Sequence, residues 1–102
     1  MSATGHREFD QVIHAPARLR IMTILGTVDR IEFATLRDRL DVSDSVMSKH
    51  LAALAAASYV TISKSSLSGR RTTWVAGSSQ GRRALRQHVA ALRAMIADVP
   101  GP

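Results

Sequence analysis

One stretch, Val42 to Leu54, VSDSVMSKHLAAL, constrains the chain more than any other. Wound at 3.6 residues per turn, it separates two surfaces of opposite character. Met47, Leu51 and Leu54 recur at i, i+4 and i+7, with His50 at their margin, and that side requires a core. On the other side lie Ser45, Ser48, Lys49 and Ala52, with Asp44 nearer the edge and Val46 flanking. All of these but the lysine are small or short, so nothing there holds a second surface at a distance. Ser43 is a good N-cap, since its hydroxyl accepts from the free N–H groups of the first turn, and a helix N-terminus favours phosphate. Such a helix is suited to a DNA major groove or to an ordinary amphipathic position on a protein surface, and the flanking residues decide between them.

Before this helix the pattern is again helical. Pro16 suits a first helical turn, and in PARLRIMTILG the residues Leu19, Ile21, Met22, Ile24 and Leu25 form a broad apolar stripe ending at Gly26, a candidate left-handed stop. Asp29 to Phe33 reads as a short strand with Ile31 and Phe33 on one face. Ala34 to Leu40 turns helical through Leu36 and Leu40, and Asp41 and Val42 make the turn, with Asp41 able to adopt a left-handed conformation. A short helix, a three-residue turn and a second helix capped by Ser43 is the spacing of a helix-turn-helix. Beyond it, Tyr59 to Ser63 and Thr72 to Val75 alternate as strands around a polar loop, Lys64 to Arg71, with Gly69 at its tip. The fold class expected is mainly α with a small β-hairpin, in one domain over residues 1–102.

Charge placement narrows the partner. Residues 1–48 hold six Arg against seven Asp or Glu, whereas 49–102 hold eight Lys or Arg against Asp98 alone, a balance of −1 and +7. A basic surface segregated in this way is the usual footprint for phosphate. Lys49, Lys64, Arg70 and Arg71 cluster within a short span, and phosphate contact is favoured for them over simple solvation. The 102 residues contain no cysteine, which excludes disulfides, thiolate metal sites and cysteine catalysis. No P-loop, dinucleotide glycine pattern or compact acid–base set is present, so an enzyme is not expected and no cofactor is implied. The start, MSATGHREFD, lacks the apolar stretch of a signal peptide and no apolar run reaches the length of a membrane span, so a cytoplasmic protein with no membrane partner is expected.

The motif S-x-S-x-x-S-K-H-L-x-x-L from Ser43 to Leu54, followed by SYVTI, the wing-like S-G-R-R-T-T-W from Ser68 to Trp74 and then SSQGRRAL, resembles winged-helix transcriptional regulators of the bacterial ArsR and MarR type. The likeness runs roughly from Pro16 to Leu92. It departs at Ser58 and Gly77, where such proteins usually carry Gly and an apolar residue. The resemblance implies a winged helix-turn-helix with residues 44–56 as recognition helix and 64–71 as wing. It also implies a repressor that binds double-stranded DNA. The DNA-binding residues expected are Ser43, Asp44, Ser45, Val46, Ser48, Lys49, Lys64, Arg70 and Arg71. A winged-helix module that binds protein rather than DNA remains the alternative.

The chain ends suggest how two copies meet. From about Ser79 to Ala97 the residues Leu85, Val89, Leu92 and Ile96 form a near-heptad seam, widened by His88 and Met95. Phe9, Val12 and Ile13, on a first helix of about residues 8–14, are the natural second contributors to a homodimer. The seam can instead pack on its own domain or, with Arg82, Arg83, Arg86 and Arg93, lie on a membrane surface, but aromatic anchors for that are missing. His6, Glu8, Asp10 and His14 make an N-terminal metal site conceivable, yet no metal is expected, His50 and His88 read as structural, and no effector can be named.

Overall fold

The computed structural model of the protein describes residues 9–101. Helix α1, Gln11–His14, is capped by Asp10, whose carboxylate accepts from Val12 N–H at 2.9 Å and Ile13 N–H at 3.1 Å. The helix is therefore shorter than the sequence suggests, and Phe9 precedes it, its ring stacked on His14. Met1–Arg7 and Glu8 lie outside the described residues. Helix α2, Pro16–Leu25, begins with proline at its first turn as expected. Its end differs from the expectation: Gly26 has φ −68°, a right-handed conformation, and Thr27 closes the helix instead, with both N–H and Oγ1 donating to the Ile24 carbonyl.

The strand expected over 29–33 contracts to β1, Ile31–Glu32, because Phe33 opens helix α3, Phe33–Leu40. Asp41 follows in the left-handed region at φ 55°, letting its N–H and that of Val42 satisfy the last free carbonyls of α3. Helix α4, Asp44–Ala56, then starts at the Ser43 cap, whose hydroxyl accepts from Val46 N–H at 3.2 Å. The apolar side of α4, Met47, Leu51 and Leu54, is buried against Ile21, Met22 and Leu25 of α2, Leu36 and Leu40 of α3 and Ile13 of α1. The four large aliphatic side chains of α2 and α4 buried here, together with Met22 and Met47, are each worth about 1.5–3 kcal/mol on burial and fix the angle at which α4 leaves the core. Ser58, at φ 65°, takes the left-handed position that glycine would take more readily.

Strands β2, Val60–Leu67, and β3, Arg70–Gly77, pair antiparallel along their whole length, and β1 adds to the far edge of β3. The loop expected over 64–71 is thus almost all strand, and only Ser68 and Gly69 turn, at φ 54° and 77°. Two consecutive left-handed residues make the turn whose twist matches that of the flanking strands. The polar run KSSL is extended because β3 supplies its backbone partners, whatever its side chains prefer.

Helix α5, Ser79–Ile96, is capped by Ser78, which accepts from Gly81 N–H at 2.9 Å and donates to Ser58 O at 2.7 Å. Gly81 sits so close to the start of β2 that a Cβ there would lie 2.1 Å from the Tyr59 carbonyl oxygen. Farther along, His88 and Ala91 are buried, with His88 only 1% exposed. Ile13, expected at a subunit interface, is instead wholly enclosed by the core of its own chain, and Val12 packs against that core. Leu85 leans on the same core, Val89 and Leu92 are half-buried, and Met95 and Ile96 stand 53% and 57% exposed.

Candidate nucleic-acid interface

With Met47, Leu51 and Leu54 turned inward, α4 presents Asp44, Ser45, Val46, Ser48, Lys49 and Ala52 to solvent. Val46, 40% exposed, is the one sizeable apolar side chain on this surface. Ser43 and Ser45 share a hydrogen bond, Oγ to Oγ at 3.2 Å, so Ser43 serves the helix first and its hydroxyl is only partly free. Ser48 and Lys49 carry no side-chain hydrogen bond among the described residues.

A groove separates α4 from the hairpin, and Asp44, Ser48 and Ala52 form its helical wall, one turn apart. Ile62, Lys64 and Thr73 form the opposite wall, with Phe33 and Leu51 at its floor. Strand alternation then sorts the basic residues of the wing. Lys64 pairs with Thr73 and Ser66 with Arg71, so Lys64 and Arg71 share the face that looks toward α4. Arg70 pairs with Leu67 and belongs to the other face, where its guanidinium lies 3.9 Å from Glu32. On that same face Trp74 donates from Nε1 to Ser65 Oγ at 3.1 Å, and Arg30 stacks on its ring at 3.9 Å. The two arginines at the tip, grouped together by sequence, therefore serve opposite sides of the wing. Leu67, beside the turn, is 79% exposed.

Sequence reasoning missed Arg37. From α3 its Nη1 lies 2.7 Å from Asp44 Oδ1, while Nε and Nη2 donate to Asp38 Oδ1 at 3.1 and 3.0 Å. These hydrogen bonds, to Asp44 first and Asp38 second, raise the guanidinium pKa above its ordinary value. Seven positions separate Arg37 from Asp44, a spacing with no meaning on one helix, and only the three-residue turn brings the pair together.

A second cluster lies away from this surface, between α1 and α5. The N–H of Asp10 donates to His88 Nδ1 at 3.1 Å, which leaves the His88 proton on Nε2, facing His14 Nδ1 at 3.2 Å. Burial lowers the His88 pKa, the nearby His14 adds to the effect, and Asp10 opposes it. Tyr59 donates its hydroxyl to Asp10 Oδ2, and that hydrogen bond, with burial, pushes the phenol pKa up to about 12. Both oxygens of Asp10 are thus engaged within the fold. Of the conceivable N-terminal metal ligands, His6 and Glu8 lie outside the described residues, and among those described no group of three His, Asp or Glu side chains is arranged to hold a metal ion.

A capped helix presented by a three-residue turn, backed by a twisted basic hairpin, defines a winged helix-turn-helix. The winged helix DNA-binding domain family matches over residues 17–96, and the chain belongs to that family. An uncharacterized protein of Methanocaldococcus jannaschii is 25% identical over 79 residues, 78% of this chain and 86% of that relative. Among solved structures, a transcriptional regulator homologue from Pyrococcus horikoshii OT3 superposes with TM-score 0.85 at 22% identity, over 90% of this chain and 91% of that one. A possible transcriptional regulator for arsenical resistance superposes with TM-score 0.68 at 25% identity, over 89% and 95% of the two chains. The family is that of winged helix DNA-binding domains, and the fold is shared with solved structures of transcriptional regulators. Among the described residues no helix is long and apolar enough to cross a membrane.

Proposed function

We propose that the protein is a sequence-specific, dimeric repressor in which α4 enters the major groove, Ser45, Ser48 and Lys49 meet base edges and nearby phosphate, and Val46 touches a thymine methyl. The observation that carries this reading is the outer face of α4, polar around Val46 over its first two turns and lined by alanine beyond, beside a hairpin face bearing Lys64 and Arg71. Those two cations lie where a phosphate strand would pass when the helix is in the groove. Arg70 is a weaker contributor, because it faces Glu32 across the sheet. Ser43 and Asp44 complete the surface at the start of the helix.

The dimer rests on α5. Val89, Leu92 and Ile96, with Met95 beside them, leave an apolar stripe open to solvent beyond the part of the helix that Gly81 and His88 anchor. Burying each such side chain contributes about 1.5–3 kcal/mol, enough across two subunits to offset the cost of association. Phe9 and Val12, at the base of α1, are the second contributors, without Ile13. A two-fold dimer would hold two reading helices about one DNA turn apart, so the operator is an imperfect palindrome with half-sites about 10 base pairs centre to centre. Repression follows from occupancy, since a dimer covering two successive major grooves of a promoter denies them to polymerase.

Binding measured on a randomised duplex pool, with light scattering of the same samples, tests the reading. The expected result is recovery of a palindromic site bound by a dimer with strongly salt-dependent affinity. Absence of salt-sensitive duplex binding would favour a winged-helix module that contacts protein instead.

A further inference from the structure

Asp44 opens α4 directly after the Ser43 cap, in the part of a recognition helix that meets base edges. A carboxylate there repels phosphate, and an acid needed only for the helix dipole has no use for a fixed orientation. Yet Asp44 is held: Arg37 spans the turn to reach Oδ1 at 2.7 Å, and Arg37 is itself braced by Asp38 at 3.0 Å. The Asp44 side chain nonetheless remains 70% exposed and borders the groove shared with Ser48 and Lys64. Only Oδ1 is engaged within the fold among the described residues, so Oδ2 remains as a free acceptor.

A carboxylate offers acceptors and no donor, which limits what it can read. Guanine presents N7 and O6 and thymine presents O4, all acceptors that repel it. Adenine offers its N6 amino group but sets the N7 acceptor beside it. Cytosine offers the N4 amino group, the donor an aspartate accepts from in major-groove recognition.

We propose that Asp44 is a specificity-determining residue that accepts a hydrogen bond from the N4 amino group of an operator cytosine, with Arg37 as the positioning residue that orients its carboxylate and offsets its charge beside the phosphates. This rests on α4 being the reading helix. Of the surface residues on α4, Asp44 is then the one, among the described residues, whose side chain is held by an ion pair before DNA arrives.

The test is selection from a randomised duplex pool by the wild type, Asp44→Asn and Arg37→Met, followed by titration of the selected duplexes. Wild type is expected to select cytosine at one position of each half-site. Asp44→Asn keeps the shape but adds a donor, so at that position the preference should move to adenine by roughly tenfold, because an amide can serve N6 and N7 together. Arg37→Met should flatten the preference at that position and weaken binding to every duplex. If Asp44→Asn selects the same base as wild type at every position, Asp44 does not read the operator. If Arg37→Met leaves that position unaltered, the positioning role is refuted. A wild type that enriches no sequence would overturn the reading of α4 itself, a failure distinct from an unshifted Asn variant. Asp44→Asn should melt as the wild type does, because that side chain is 70% exposed, and Arg37→Met, whose side chain is 30% exposed and joined to two exposed aspartates, only slightly lower.

Discussion

Helices α4 and α5 treat their apolar residues in opposite ways. Every large apolar side chain of α4 but Val46 is enclosed by its own chain, and the rest of what it shows outward is polar or alanine. Helix α5 is held at its near end and inner side by Gly81, Leu85, His88 and Ala91, and beyond them Val89 and Leu92 are half-buried while Met95 and Ile96 stand outward. The difference teaches what each surface is for: a polar face held rigidly from behind suits a hydrated, charged partner, while an apolar face without a core of its own suits another apolar face.

The largest effect that sharpens this contrast is at the anchored end of α5. Gly81→Val would drive its side chain into the Tyr59 carbonyl, a backbone atom that cannot move aside, and should lower stability by about 3 kcal/mol, read as a drop in melting temperature of roughly 10 °C or more. A melt close to that of the wild type would mean that α5 is not seated there. Next, Leu92→Glu and Ile96→Glu on the open side should weaken self-association by about a hundredfold, since two copies of each side chain would leave a dimer interface. Light scattering would show monomers at concentrations where the wild type pairs, with the melting temperature of the Ile96 variant nearly unchanged. If instead the Ile96 variant pairs as the wild type does, α5 is not the interface and the contrast between the helices collapses.

A smaller effect follows from His88, which joins α5 to α1. Its pKa is lowered in the fold, so the neutral form is the one the structure favours. The stability it contributes is present above about pH 6.5, the ordinary histidine value, and is lost as pH falls through the lower folded value. Melting temperature should decline on that acid side, and the decline should shrink in His88→Gln, whose amide oxygen can still accept from Asp10 N–H. An equally steep decline in the variant would assign the acid sensitivity elsewhere. The smallest effect separates the two faces of the wing. Arg71→Ala should lower the salt slope of duplex binding by about 0.9, the loss of one phosphate contact, and Arg70→Ala by less, because Arg70 faces Glu32. Equal changes would mean that both faces of the hairpin reach DNA.

Much of the helix-turn-helix was legible in sequence because its signals are local. The Ser43 cap, the left-handed Asp41 and the 3.6-residue spacing of Met47, Leu51 and Leu54 each depend on a few neighbouring residues, and the start and inward face of α4 followed from them. What escaped depends on partners distant in the chain. The strands run through KSSL because β3 pairs with them, and Gly81 is needed because Tyr59 lies against it. Ile13 reads as a subunit contact because periodicity reports an apolar face, not what covers it. Arg70 and Arg71 were grouped together because sequence adjacency hides the alternation that sends them to opposite faces. Likewise Arg37 reads as one of several surface charges until the turn brings it to Asp44.

The central claim, that the outer face of α4 reads DNA sequence, is tested most directly by Ser48→Glu. The side chain lies on the exposed wall of the groove, so the variant should keep the wild-type melting temperature. Its binding to a duplex selected by the wild type should fall at least a hundredfold, to the level of a scrambled duplex, because a bulky anion would occupy the place of a base edge. Selected and scrambled duplexes titrated side by side at one salt concentration give the answer. Equal affinity of variant and wild type for the selected duplex would contradict the account, since it would mean that α4 does not lie in the groove.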